Sequence, residues 1–286
     1  MLVQNFVDLR DVHPFVKWAG GKGQLLSELD KLIPGQFKRY FEPFLGGAAM
    51  FLHLASKNML STAYLSDTNE ELIKAFKAVR DSVGELIEVL NQHQREYDKN
   101  PSKYYYRLRE LIQPRNDIEI AARFVTLNKT CFNGLYRVNQ NGKFNVPMGD
   151  YKKPLICDSS NLKSVSSLLR HSNAKIECVD YREMLSKAET NDFVYLDPPY
   201  DPLSYTSNFT AYTPNGFGRE NQMALANVYR KLLDRGCSIL LSNSDIPFIR
   251  TLYSDFSIKD VNVQRAINCK GSKRAGHKEL LISNYS

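Results

Sequence analysis

Short continuous apolar runs alternate along the chain with longer stretches in which apolar residues recur at helical spacing. Phe41 to Phe44 reads as a strand leading into Gly46-Gly47, and the small and apolar run Ala48 to Ala55 reads as a helix, so the first unit is strand, glycine-rich turn, helix. Such a turn opens toward a ligand. Thr62 to Leu65 predicts a second strand ending at Ser66-Asp67, followed by a helix over Asn69 to Arg80 started by Thr68 or Asn69. From Glu85 to Thr130 the groups Leu86, Val89, Leu90, then Leu108, Leu111, Ile112, then Ala121, Phe124, Val125, Leu127 predict a mostly helical insertion. Asn133-Gly134, Asn141-Gly142 and Pro147 then break the chain into hairpin-like pieces that expose side chains. Lys175 to Val179, Asp192 to Leu196 and Cys237 to Ser242 predict buried strands, with a helix over Glu220 to Leu233 between the last two. Ile258 to Asn268 and Lys278 to Tyr285 read as a closing antiparallel hairpin. Strands alternating with helices imply an α/β fold with a mostly parallel sheet.

Composition narrows the class. A length of 286 residues suits one large α/β domain, or a domain with a sizeable insertion. Hydrophobic and charged fractions of 43% and 24% exclude wholesale disorder. No apolar run approaches the roughly 18 residues of a membrane span, and Met1 to Arg10 does not pattern as a secretory signal, so neither is expected. Cys131, Cys157, Cys178, Cys237 and Cys269 are scattered, without CxxC pairs, and read as free thiols in a reducing cytoplasm. The net charge of +7 is unevenly spread: between Lys103 and Lys153, ten basic residues outnumber four acidic ones. Tyr104, Tyr105, Tyr106, Phe124, Phe132, Tyr136, Phe144 and Tyr151 interleave with them, a mixture suited to neutralising phosphates and stacking on bases. Taken alone, it is better described as a solvated helical face over core aromatics.

The chemistry is concentrated in Asp197-Pro198-Pro199-Tyr200, which follows the buried strand ending at Leu196. Open α/β sheets bind ligands at the carboxyl ends of their strands. Two prolines fix φ and remove two backbone donors, leaving carbonyl oxygens to accept from a ligand amine beside the Asp197 carboxylate.

This peptide stands in a series with Lys17-Trp18-Ala19-Gly20-Gly21-Lys22, Phe41-Glu42-Pro43-Phe44-Leu45-Gly46-Gly47, Ser66-Asp67, and the block Asn133-Gly134-Leu135-Tyr136-Arg137 to Phe144-Asn145-Val146-Pro147. Along nearly its whole length the sequence resembles the DNA adenine methyltransferase (Dam) family, class alpha adenine N6 enzymes. The resemblance implies a doubly wound α/β domain that binds S-adenosyl-L-methionine, formed by residues 1–69 and 163–286. It also implies an inserted, mostly helical target-recognition domain over 70–162. It places Trp18, Lys22, Phe44, Asp67, Asp180, Tyr181 and Asp197 at the cofactor, with Lys22 near its carboxylate, Asp67 on the ribose hydroxyls, and Asp180 and Tyr181 at the adenine ring. Asp197, Pro198 and Tyr200 would perform catalysis on a base swung out of the duplex. Lys17, Phe132, Asn133, Leu135, Arg137, Pro147 and Tyr151 would contact DNA, most simply at GATC, with Lys270, Lys273 and Arg274 as further backbone contacts. Double-stranded DNA is the expected partner, with no membrane and no metal, for a monomer in the cytoplasm associated with the nucleoid. Two features depart from the family pattern: Ala48 replaces the last glycine of the FxGxG turn, and Asp150 stands where a basic residue is common.

Other chemistries fit less well. Gly20-Gly21-Lys22-Gly23 lacks the P-loop's leading glycine, having Val16 there, and its hydroxyl residue after the lysine. His13, His53, His93, His171 and His277 show no metal-binding spacing, and no cysteine follows a proline as cytosine C5 chemistry would want. An amino-methyltransferase of RNA or protein glutamine, and a DNA-binding module without catalysis, are the alternatives.

Overall fold

The computed structural model describes residues 12–200, 217–263 and 277–285; Cys269, Lys270, Lys273 and Arg274 lie outside them. Seven strands form one sheet: β1 (Tyr40–Glu42), β2 (Ala63–Ser66), β3 (Lys175–Glu177), β4 (Phe193–Leu196), β5 (Ser238–Ser244), β6 (Ser257–Val263) and β7 (His277–Ser283). Their order is β3-β2-β1-β4-β5-β7-β6. The first five in this order are parallel, and β7 is antiparallel to β5 and β6. The chain winds outward from β1 to β3, then returns to β4 on the other side of β1, which creates a switch point between β1 and β4.

Side-chain alternation explains the layering. Tyr40, Phe193, Tyr195 and Leu240 enter one apolar core, shared with α2 (Ala49–Ser56), α3 (Glu70–Asp81), α4 (Val83–Lys99), α5 (Pro101–Glu110), α6 (Asp117–Thr130) and α7 (Ser159–His171). Phe41, Val194, Leu196, Ile239 and Leu241 enter a second core with α8 (Tyr181–Ser186), α9 (Arg219–Asp234) and α10 (Pro247–Leu252). All four residues of β4 are buried, as expected for a parallel strand covered on both faces. Each buried Leu, Val or Phe contributes roughly 1.5–3 kcal/mol relative to exposure. At the amino ends, the Arg39 guanidinium grips buried Asp192 with Nη2 to Oδ2 at 2.5 Å, holding β1 beside β4.

Helix boundaries follow local chemistry. Asn69 Oδ1 accepts from Leu72 N at 3.1 Å and starts α3, with Glu70 and Glu71 in its first turn. The helical stretch from residue 85 to 130 divides into three helices: Asn100 caps α5 with Pro101 at its first position, and Asn116 caps α6 beyond Pro114. Strand β1 ends at Glu42, because Pro43 has no N–H for a ladder. The hairpin-like stretch holds only two isolated bridges, Cys131 with Met148 and Val138 with Phe144. Four helices have no counterpart in the periodicity reading: α1 (Leu26–Asp30), α7, α8 and α10. Among the described residues no helix is long and apolar enough to cross a membrane.

Two left-handed positions bear on the site. Ala48, which stands where the motif wants glycine, adopts φ 58°, ψ 32° at the start of α2 while buried. A left-handed alanine costs roughly 1–2 kcal/mol that a glycine would not. Gly134, at φ +63°, lies so close to the amino-terminal segment that a Cβ there would stand 2.3 Å from Lys17 Cβ.

Glu42 is a buried acid within β1. Its Oε2 accepts from Tyr40 Oη at 2.9 Å and from Phe51 N at 3.1 Å. Burial pushes its pKa up from 4.5 to about 8, with the nearby Asp197 charge adding to the rise and the two hydrogen bonds opposing it.

Two outcomes follow. Because the folded-state pKa of Glu42 lies above the unfolded one, its contribution to stability is full below about pH 4.5 and is lost as pH rises to about 8. Thermal melts from pH 5 to 9 should therefore show wild type losing stability relative to Glu42→Gln up to about pH 8, the gap then levelling off; parallel curves would contradict this. Gly134→Ala should cost roughly 2–4 kcal/mol from left-handed strain plus overpacking, measured by denaturant unfolding.

Candidate active site

The carboxyl ends of β1, β2 and β4 converge at the switch point. After β1, the turn Phe44 to Gly47 bends under Trp18: Gly46 has φ +45°, and a Cβ on it would lie 2.7 Å from Trp18 Cδ1. Only a glycine allows that approach. The Trp18 ring in turn stacks on Tyr136 with centroids 6.2 Å apart, which ties this turn to the block following α6.

Asp67 ends β2. Its Oδ2 accepts from Gly46 N at 3.1 Å and its Oδ1 from Asn69 N at 3.0 Å. Burial raises its pKa, and backbone N–H groups of Asn69, Gly46 and Thr68 partly offset that rise. The carboxylate thus bridges the β1 and β2 turns and keeps lone pairs for a ligand hydroxyl.

A small cluster of packed aromatic rings lies alongside. The Phe44 ring is 5.3 Å from Tyr181 and 5.7 Å, edge-on, from Phe217, and Tyr181 to Phe217 is 6.2 Å. Asp180, next to Tyr181 in the chain, accepts from Arg182 N through Oδ1 at 2.9 Å and caps α8. Phe217 escapes the sequence reading, since nothing in its neighbours' pattern ties it to Phe44; only the sheet order does.

The Asp197-Pro198-Pro199-Tyr200 peptide leaves β4 and is held at several points. Asp197 Oδ1 receives Lys22 Nζ at 2.7 Å and Ser242 Oγ at 2.9 Å. Lys22 is only 5% exposed; its ammonium also donates to Gly20 O at 2.8 Å and lies 4.9 Å from the Tyr200 ring centroid. Pro198 is buried. The Pro199 carbonyl accepts from Gln222 Nε2 at 3.1 Å, and Gln222 Oε1 accepts from Asn243 Nδ2 at 3.1 Å. Tyr200 Oη donates to Glu279 Oε2 at 2.7 Å, and burial first, then the nearby carboxylates Asp197 and Glu279, push its pKa well up. Ser242, Gln222, Asn243 and Glu279 were not expected. The visible signal was Ser242-Asn243-Ser244, polar residues closing an apolar strand.

The block after α6 forms a separate, exposed surface. Asn133 at φ 54° and Gly134 make a tight turn that leaves Phe132 41% exposed. Phe132 N donates to Pro147 O at 2.9 Å, so Phe132 and exposed Pro147 lie together. Lys17 Nζ lies 3.5 Å from the Tyr151 centroid and donates to Lys129 O at 3.0 Å; burial lowers its pKa. Asn128 clasps Lys17 from both sides, accepting from its N–H at 2.7 Å and donating to its carbonyl at 2.7 Å. Exposed Arg137 is held against Asn145, donating through Nε to its Oδ1 at 2.7 Å and through Nη2 to its backbone oxygen at 3.4 Å. Leu135 is half-buried against the core.

The mixture of charges and rings in this region resolves unevenly. Tyr104, Tyr105, Phe124 and Phe144 are buried, so they are packing residues and cannot stack on bases. Arg109 and Arg123 are likewise turned inward, to Val146 O at 3.0 Å and to Glu71 at 3.2 Å. Lys103, Arg107, Lys143, Lys152 and Lys153 are exposed. Among the described residues no group of three or more His, Cys, Asp or Glu side chains is placed to hold a metal ion.

Comparison with known proteins agrees with this geometry. Residues 18–267 match the D12 class N6 adenine-specific DNA methyltransferase family. The type II methyltransferase M.MjaIII of Methanocaldococcus jannaschii is 45% identical, over 96% of this chain and 100% of that one. The type II methyltransferase M1.LlaDCHI of Lactococcus lactis subsp. cremoris is 40% identical, over 100% and 99%. The DNA adenine methylase of Escherichia coli is 35% identical, over 93% of each chain. A relationship of this extent, together with an acidic proline-rich loop at the switch point of a doubly wound sheet, places the chain in the D12 class of N6 adenine-specific DNA methyltransferases.

Proposed function

We propose that this enzyme transfers the methyl group of S-adenosyl-L-methionine directly to N6 of an adenine swung out of duplex DNA, within GATC. The observation that carries this reading is the Asp197 carboxylate at the open end of a strand buried on both faces, followed by two prolines and an aromatic ring.

The residues present fit the cofactor. A turn at Gly46 too tight for a Cβ, the neighbouring Phe44, Tyr181 and Phe217 rings, and the Asp67 carboxylate suit an adenosine, with Asp180 beside Tyr181. Lys22, with Trp18 over the same turn, supplies the cation for a carboxylate. When bound, S-adenosylmethionine supplies an electrophilic methyl group.

The adenine amine is a poor nucleophile because its lone pair is delocalised into the ring. Asp197 and the Pro198 carbonyl accept its two N–H groups, favour a pyramidal nitrogen, and stabilise the positive charge that develops there. Tyr200 stacks on the extruded base, a contact worth roughly 1–3 kcal/mol. Arg137 grips guanine O6 and N7 through its fork. Phe132 wedges into the stack and Asn133 fills the orphaned space. Leu135 and Pro147 meet thymine methyls, Lys17 reaches an outer base pair, and Tyr151 is a further DNA contact. Residues 70–162 act as the recognition module of an enzyme that works as a monomer on cytoplasmic, nucleoid DNA.

Asp197→Ala should lower labelled-methyl incorporation into DNA roughly 100-fold or more while duplex affinity stays within a few-fold. Normal turnover in that variant would contradict the assignment. For Arg137→Ala, turnover on duplexes carrying single-base changes should show discrimination weakened by roughly 1–3 kcal/mol at one position and preserved at the others. Unchanged discrimination at every position would remove Arg137 from base reading.

A further inference from the structure

An aspartate carboxylate turns easily about its terminal torsion, which is broad and two-fold. An amine acceptor must nevertheless present one oxygen in a fixed plane. The Ser242 hydroxyl donates to Asp197 Oδ1 at 2.9 Å, the Lys22 ammonium forms an ion pair whose closest approach, 2.7 Å, is to the same oxygen, and among the described residues no hydrogen bond falls on Oδ2. These donors differ in kind. Lys22 is a point charge on a four-carbon stem, able to swing toward any anionic group brought nearby. Ser242 is fully buried on β5, whose pairing with β4 sets Leu241 opposite Leu196, so its hydroxyl enters from a rigid strand.

The direction of the hydrogen bonds is also set. A carboxylate only accepts, so the single Ser242 proton goes to Asp197. Ser242 Oγ then accepts from the Tyr195 hydroxyl, 3.2 Å away and likewise buried on β4. The chain runs Tyr195 to Ser242 to Asp197 and uses Ser242 both as donor and as acceptor. A buried hydroxyl without partners costs free energy, so its place at the end of the apolar run Ile239 to Leu241 is explained by this contact.

We propose that Ser242, backed by Tyr195, is the positioning residue that fixes the plane of the Asp197 carboxylate, turning Oδ1 into the protein and Oδ2 toward the substrate amine. The role rests on the assignment of Asp197 as amine acceptor, and it persists when Lys22 is drawn to another anion.

The test uses the full-length enzyme, labelled S-adenosylmethionine and genomic DNA free of adenine methylation, with Asp197→Ala as reference. Ser242→Ala should lower kcat roughly 10- to 100-fold, the range for losing a hydrogen bond to a charged group, with KM for DNA and cofactor affinity within about 3-fold. Tyr195→Phe should lose roughly 3- to 10-fold, as expected for a neutral hydrogen bond. Because Tyr195 acts only through Ser242, the double variant should be no slower than Ser242→Ala alone. The proposal is overturned by a kcat for Ser242→Ala within 2-fold of wild type when Asp197→Ala is inactive. Losses that multiply in the double variant, or a parallel fall in cofactor affinity, overturn it equally, since general structural damage would produce them. Retained turnover in Asp197→Ala would instead remove the assignment beneath the proposal, and the proposal with it.

Discussion

A carboxylate anchored at the open end of a strand sealed on both faces is the constraint on which this molecule depends. Strand β4 can bury all of its residues because the sheet is parallel there and covered by helices on each side. The chain must leave that strand where the winding direction reverses, so the first residue outside the core, Asp197, emerges into a crevice rather than onto a flat surface. Lys22, Ser242, Gln222 and Glu279 then hold the emerging loop from four separate parts of the chain. Glu42, buried in β1, has its pKa raised by burial and by the nearby Asp197 charge.

The amino-terminal segment couples this crevice to the exposed block after α6. Trp18 covers the Gly46 turn on one side and stacks on Tyr136 on the other, while neighbouring Lys17 is clasped by Asn128 and lies over Tyr151. In the proposed mechanism, the block that would read DNA and the site that would perform the chemistry must keep a fixed spacing. Packing side chains from both onto one short segment provides it, and Gly134, with no room for a side chain against Lys17, sets how closely the two approach.

Much of this was legible in the sequence wherever the signal is local. The strand, turn and helix around Gly46, the Asn69 cap, the buried strand before Asp197 and the closing antiparallel pair each depend on neighbours within a few positions. What was not legible depends on which distant segments the sheet order brings together. Ser242 meets Asp197 only because β5 pairs with β4, Glu279 meets Tyr200 only because β7 enters beside β5, and Phe217 joins Phe44 only across the switch point. The basic and aromatic segment could not be resolved residue by residue for a related reason: alternating rings and charges do not reveal which face of a helix is inward, and Tyr105 and Phe124 proved to be core, as the reading of a solvated face over core aromatics has it. Helix α7 was overlooked because serines are interspersed among Leu162, Val165, Leu168 and Leu169, which dilutes its apolar stripe.

The most direct test is a crystal structure of the enzyme with a GATC duplex and sinefungin, a non-transferable cofactor analogue. The account predicts an adenine rotated out of the stack, its amine within about 2.7–3.2 Å of both Asp197 Oδ2 and the Pro198 carbonyl, with Ser242 still on Oδ1. An adenine left in the helix, or an amine gripped by other residues while Asp197 faces away, would contradict it.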